Sequence, residues 1–95
     1  MKLRIHSLHF DADKKLEEYI SKKMNKILDR YKFILSADIT LRIDRPESVN
    51  NKIIEAMLEI PGNNIFVKKQ GNTFEEVTDK IVDVLKRQLE KVKEK

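Results

Sequence analysis

The chain has 95 residues, 20 Lys+Arg against 16 Asp+Glu, and no cysteine. That leaves room for one domain (residues 1–95) with one modest core, and excludes a disulfide framework and a thiolate metal site. The formal charge of +4 and sequence pI of about 9.3 point toward a polyanionic partner. No apolar run approaches the roughly 20 residues needed to cross a bilayer. The opening MKLRIHSLHF is too short and interrupted for a signal peptide, so the sequence reads as a soluble cytoplasmic protein with no membrane partner.

Residues 1–7 alternate, with Leu3 and Ile5 on one side and Lys2, Arg4 and His6 on the other, the pattern of a strand with one wet, basic face. His6 and His9 have no accompanying ligand cluster and are expected as surface or loop residues rather than metal ligands. Asp13 is placed to cap a helix running to about Arg30, with Asp11 as the competing start. Leu16, Ile20, Met24, Ile27 and Tyr31 form its core stripe. Lys15, Lys22, Lys23, Lys26 and Arg30, with Tyr19 among them, occupy an arc beside that stripe, while Glu17, Glu18 and Asp29 lie on the far side. Salt-bridging between successive turns would interleave opposite charges along the helix. Their sorting by face instead is the strongest functional signal in the residues themselves.

Residues 36–45 alternate again, with Ala37, Ile39, Leu41 and Ile43 against Asp38, Thr40, Arg42 and Asp44. Residues 46–51 form the natural connection to a strand over 52–60. There Ile54, Ala56, Leu58 and Ile60 point inward and Glu55 and Glu59 outward, with Ile53 and Met57 adding apolar surface to the outer side. Pro61-Gly62-Asn63-Asn64 reads as a tight turn and residues 65–69 as the returning strand of a hairpin. Gln70-Gly71-Asn72 leads to a last helix over 73–95, whose Thr73-Phe74-Glu75-Glu76 start has the form of a capping box. Phe74, Val77, Ile81, Leu85, Gln88 and Val92 make its expected core face. Lys80, Arg87 and Lys91 share a second stripe roughly 100° around, with Val84 between them.

The element order β-α-β-β-β-α predicts an α+β fold: a four-stranded sheet whose first two strands run parallel, with both helices on one face. Periodicity leaves open whether the two basic stripes flank one groove or straddle the helix pair. The sequence contains no Gly-rich phosphate loop, His-Glu-x-x-His motif, cysteine nucleophile or glycine-flanked serine elbow. No catalytic residue, cofactor or small-molecule substrate is therefore expected.

The opening strand, the first-helix pattern Leu16, Tyr19-Ile20, Lys23, Lys26-Ile27, Arg30-Tyr31, the Pro61-Gly62 hairpin, Asp79 and the ending Leu85-x-Arg87-Gln88-Leu89-x-Lys91-x-Lys93 carry a resemblance. On these residues the chain resembles the ribosome hibernation promoting factor and ribosome-associated inhibitor family, as a short form or the N-terminal domain of a long one. The resemblance implies a fold similar to a double-stranded-RNA-binding domain, with two parallel helices covering the sheet. It also implies binding to the small ribosomal subunit and its rRNA near the decoding centre, across the mRNA and tRNA path, in resting cells. Carried over residue by residue, the RNA contacts would be Lys22, Lys23, Lys26, Arg30, Lys80, Arg87 and Lys91. Val84 stands where many members have lysine, and Glu75 where an aromatic is common. Two other readings stay open: a general binder of double-stranded RNA, and a protein-interaction module using the open sheet face with Ile53 and Met57. The free protein is expected to be monomeric.

Overall fold

A computed structural model describes residues 2–8, 10–45, 47 and 49–93. His9, parts of the 46–51 connection and the final Glu94 and Lys95 of the expected last helix lie outside the described residues. The elements are β1 (Lys2–Leu8), α1 (Lys14–Arg30), β2 (Ser36–Ile43), β3 (Lys52–Ile60), β4 (Asn63–Gly71) and α2 (Phe74–Lys93). They form one sheet in the order β1-β2-β3-β4, with β1 parallel to β2 and the other pairs antiparallel.

Along β2, β3 and β4 most of the inward-pointing residues are buried. Ala37, Ile39 and Leu41 of β2, Ile54, Ala56, Leu58 and Ile60 of β3, and Ile65 and Val67 of β4 join Leu16, Ile20, Met24 and Ile27 of α1 and Phe74, Val77, Ile81, Leu85 and Leu89 of α2 in one core. Leu3 and Ile5 of β1 pack against it half-buried. The helix α2 lies over β3 and β4, and α1 packs beside α2 with sparser contact to β1. This arrangement lays the two helices side by side on one face of the sheet.

Local chemistry sets the boundaries. The Asp13 carboxylate accepts from the Leu16 backbone N–H at 2.7 Å and opens α1. The Thr73 hydroxyl accepts from the Glu76 N–H at 3.1 Å and opens α2. The reciprocal half of the capping box is replaced, because the Glu76 carboxylate lies 3.3 Å from Lys80 Nζ, one turn on. At the start of α2 the Phe74 ring stacks on Phe10 with centroids 5.3 Å apart, which gives this end an aromatic contact while Glu75 stays exposed.

Three sequence expectations are corrected. The hairpin turn is tighter than the tetrapeptide suggested: Gly62 has φ 83°, and Asn63 already pairs with Ile60 inside β4. The core face of α2 rotates along its length, so Leu89 is buried while Val92 is 38% exposed and Gln88 half-buried. On the outer sheet face Ile53 is only 3% exposed, flanked by Arg42 and Gln70 on the neighbouring strands. The apolar surface expected of Ile53 and Met57 is supplied instead by the cross-strand pair Met57 and Phe66.

Candidate nucleic-acid interface

The two faces of the molecule differ in charge. On the open sheet face the register alternates signs, with Arg4 opposite Asp38, Lys68 opposite Glu55, and Arg42 Nη2 3.1 Å from the Glu55 carboxylate. That face is close to balanced and offers a polyanion little. The helical face carries the surplus, and the helix geometry determines where each cation sits.

At about 100° per residue, Leu16, Ile20, Met24 and Ile27 fix the buried side of α1. Lys22 and Lys26 are exposed roughly opposite it, and Tyr19, Lys23 and Arg30 turn toward α2. The contacts bear this out. Tyr19 donates its hydroxyl to Asp79 Oδ1 at 2.8 Å, and Lys23 Nζ lies 3.8 Å from the same oxygen. Near the other end of the helices Tyr31 donates to Glu90 Oε2 at 2.5 Å, and Arg30 Nη2 lies 3.6 Å from that oxygen. Two tyrosine–carboxylate hydrogen bonds therefore tie α1 to α2 and fix the separation of their charged side chains.

Between these C-terminal halves opens a cleft of about 430 Å³ lined by Arg30, Tyr31, Lys86, Arg87, Glu90 and Lys91. Arg30 from α1 thus meets Arg87 and Lys91 from α2, so these members of the two stripes share one groove. Lys22 faces the opposite side of α1, where it lines a second groove with Ile5, Lys14, Glu17, Glu18 and Ser21. Lys80 is drawn elsewhere, its Nζ lying 3.3 Å from the Glu76 carboxylate and 3.4 Å from the Gln70 carbonyl oxygen at the β4 end. Val84 is half-buried against the core, which accounts for an apolar residue in the middle of that stripe.

Three of the seven expected contact residues, Lys23, Arg30 and Lys80, therefore have a carboxylate partner. Among the described residues, no carboxylate lies within 4.0 Å of Lys22, Lys26, Arg87 or Lys91. The sequence reading missed Lys86. It also missed Glu90 as the partner of Tyr31, although Asp79, Lys86 and Glu90 recur at spacings of seven and four on the side of α2 that meets α1.

The tyrosine bonds leave a mark on ionisation. The Tyr19 hydroxyl is pushed above its ordinary 10.0, first by its hydrogen bond to Asp79 and then by burial. Tyr31 is raised first by its bond to Glu90 and then by burial, with Arg30 opposing. The same bond lowers Glu90, helped by Lys93 and Arg30 and opposed by burial. A raised tyrosine contributes stability that is full below about pH 10 and is lost as pH rises through the folded value. A lowered carboxylate contributes above its ordinary range, around 4 to 5, and loses that contribution as pH falls through the folded value. Tyrosinate absorbance in the folded protein should therefore show both steps above pH 10.0, with one step lost in each of Tyr19→Phe and Tyr31→Phe. Ionisation of either hydroxyl at or below its ordinary value would refute the interhelical bond assigned to it.

Comparison with known proteins agrees with this architecture. Residues 3–95 match the family model described as sigma 54 modulation protein / S30EA ribosomal protein. A ribosome hibernation promoting factor of Pseudomonas putida is 24% identical over 95 residues, covering 100% of this chain and 89% of that protein. A ribosomal subunit interface protein from Coxiella burnetii superposes with TM-score 0.88 at 24% identity, covering 100% of both chains. The N-terminal domain of Thermus thermophilus Protein Y superposes with TM-score 0.78 at 21% identity, covering 97% of this chain and 99% of that one. With the four-stranded sheet, the paired helices and a match across residues 3–95, the chain belongs to the sigma 54 modulation protein / S30EA ribosomal protein family, the family of the ribosome hibernation promoting factors.

Proposed function

We propose that this protein is a non-enzymatic ribosome hibernation factor. Its paired helices bind small-subunit rRNA across the mRNA and tRNA path and so silence resting ribosomes. The observation that carries this reading is the gathering of Arg30, Lys86, Arg87 and Lys91 around one cleft, with Lys26 exposed on α1 and Lys22 on the far side of that helix. Membership of the family supplies the ribosome as the partner. Cations on a rigid helix pair suit phosphate recognition, in which charge and spacing matter more than base identity. The chain offers few exposed aromatic rings for stacking, so specificity would come from the shape of a folded RNA surface. In this reading the chain works as a single domain and is monomeric when free.

Sedimentation with purified small subunits tests the proposal, run with and without mRNA and initiator tRNA and against a competing duplex RNA. The protein should travel with the subunit, be displaced by mRNA and tRNA, and resist the duplex. Equal affinity for duplex RNA would favour the general double-stranded-RNA reading. Failure to sediment with the subunit, or binding indifferent to mRNA and tRNA, would overturn the proposed site of action.

A further inference from the structure

The same three-part device appears twice between the helices. In each, a cation of α1 lies over a tyrosine ring, the tyrosine hydroxyl donates to a carboxylate of α2, and that carboxylate oxygen faces the cation. Lys23 Nζ is 5.5 Å from the Tyr19 ring centroid and 3.8 Å from Asp79 Oδ1, the oxygen that accepts from Tyr19 at 2.8 Å. The Arg30 guanidinium carbon is 5.5 Å from the Tyr31 ring centroid and its Nη2 is 3.6 Å from Glu90 Oε2, which accepts from Tyr31 at 2.5 Å. In both, the tyrosine bond is the short one. The cation contact is longer than the roughly 2.7 to 2.9 Å of a charge-assisted hydrogen bond.

We infer that Asp79 and Glu90 set the selectivity of the RNA face by holding Lys23 and Arg30 in exchangeable pairs, while the tyrosine hydroxyls keep those carboxylates partnered when the cations turn to phosphate. The inference rests on the reading of the helical face as the rRNA contact. An RNA that meets only the outward Lys22 and Lys26 encounters two neutralised cations and two carboxylates along the seam between the helices, Glu90 in the cleft and Asp79 nearer the start of α2. An RNA whose backbone runs along the seam between the helices can take over both cations without loosening the helix pair, because each carboxylate retains its tyrosine donor. The carboxylates are then a repulsive element against the wrong partner, and discrimination often depends on such elements. The pairs are exposed, so their exchange is inexpensive.

The test compares affinity for small subunits with affinity for a duplex RNA of unrelated sequence, each across a range of salt. Asp79→Asn with Glu90→Gln keeps an oxygen to accept from each tyrosine but removes both charges. Affinity for the duplex should rise about fivefold, the size of two exposed ion pairs, and its salt slope should steepen by about 1 to 2, as two more phosphates are neutralised. Affinity for small subunits should rise as well but by less, about twofold, because in that complex the two cations already exchange onto phosphate and only the opening of the exposed pairs is saved.

Tyr19→Phe with Tyr31→Phe should act in the opposite sense. Left with one partner, each carboxylate holds its cation more firmly, and small-subunit affinity should fall about fivefold while duplex binding hardly moves. A purely structural role for the four residues predicts that both pairs of substitutions weaken both complexes, and that result would overturn the inference, as would an unchanged preference in either variant. A wild-type protein that does not bind small subunits removes the proposed function and this inference together. A wild-type protein that binds them, with variants that leave the preference intact, removes only the inference.

Discussion

Lys26→Glu combined with Arg87→Glu should weaken binding to small ribosomal subunits by about 100-fold, on the basis of about 1.5 kcal/mol for each of two lost charge-assisted contacts. Neither side chain has a carboxylate within 4.0 Å among the described residues, so in the free protein neither is engaged in an ion pair that binding must break. Both are exposed, and surface substitutions of this kind leave stability within about 0.5 kcal/mol. The salt dependence should become shallower by about 1.4 to 1.8, as two neutralised phosphates are lost. Lys80→Glu should cost less, because that ammonium is already held at Glu76 and Gln70 away from the cleft. Filter binding or sedimentation at several salt concentrations, with a melting curve for each variant, separates loss of contact from loss of fold.

The largest effect on stability is expected at Leu85. It is fully buried between Ile81 and Leu89 on the side of α2 that covers β3 and β4. Leu85→Ala removes buried methyl groups and leaves a space the sheet cannot fill, which costs about 3 kcal/mol. In a domain of this size that lowers Tm by about 12 to 24 °C. Val92→Ala is the control, since Val92 shares the sequence stripe with Leu85 but is 38% exposed, and it should lower Tm by only a few degrees. Equal losses at the two positions would mean that α2 lies on the sheet in a different rotation from the one described.

The contrast between Leu85 and Val92 also shows how far the sequence could be read. Strand alternation and helix spacing placed all six elements, because both periods report which side of an element avoids water. They could not reveal the shift of the buried side of α2 toward Leu89, because which residues meet the sheet depends on how the whole helix is laid on it and not on any local preference. Ile53 illustrates the same limit, since only the register brings Arg42 and Gln70 alongside it.

The cations were legible as stripes but not as partners. Asp79 and Tyr19 lie 60 residues apart in the chain, and Glu90 and Tyr31 lie 59 apart. Nothing in a single helix indicates that Lys23 and Arg30 have a carboxylate of α2 within 4.0 Å while Lys22 and Lys26 do not. That distinction arises only when the helices are set side by side.

Lysine acylation of the free protein and of its complex with small subunits, read out residue by residue, tests the central claim most directly. Lys22, Lys26, Lys86 and Lys91, all exposed on the helical side, should react in the free protein and be protected in the complex, while Lys68 on the open sheet face stays reactive. Protection of Lys68 with undiminished reactivity of the four helix lysines would contradict the assignment of the RNA-binding face to the helix pair.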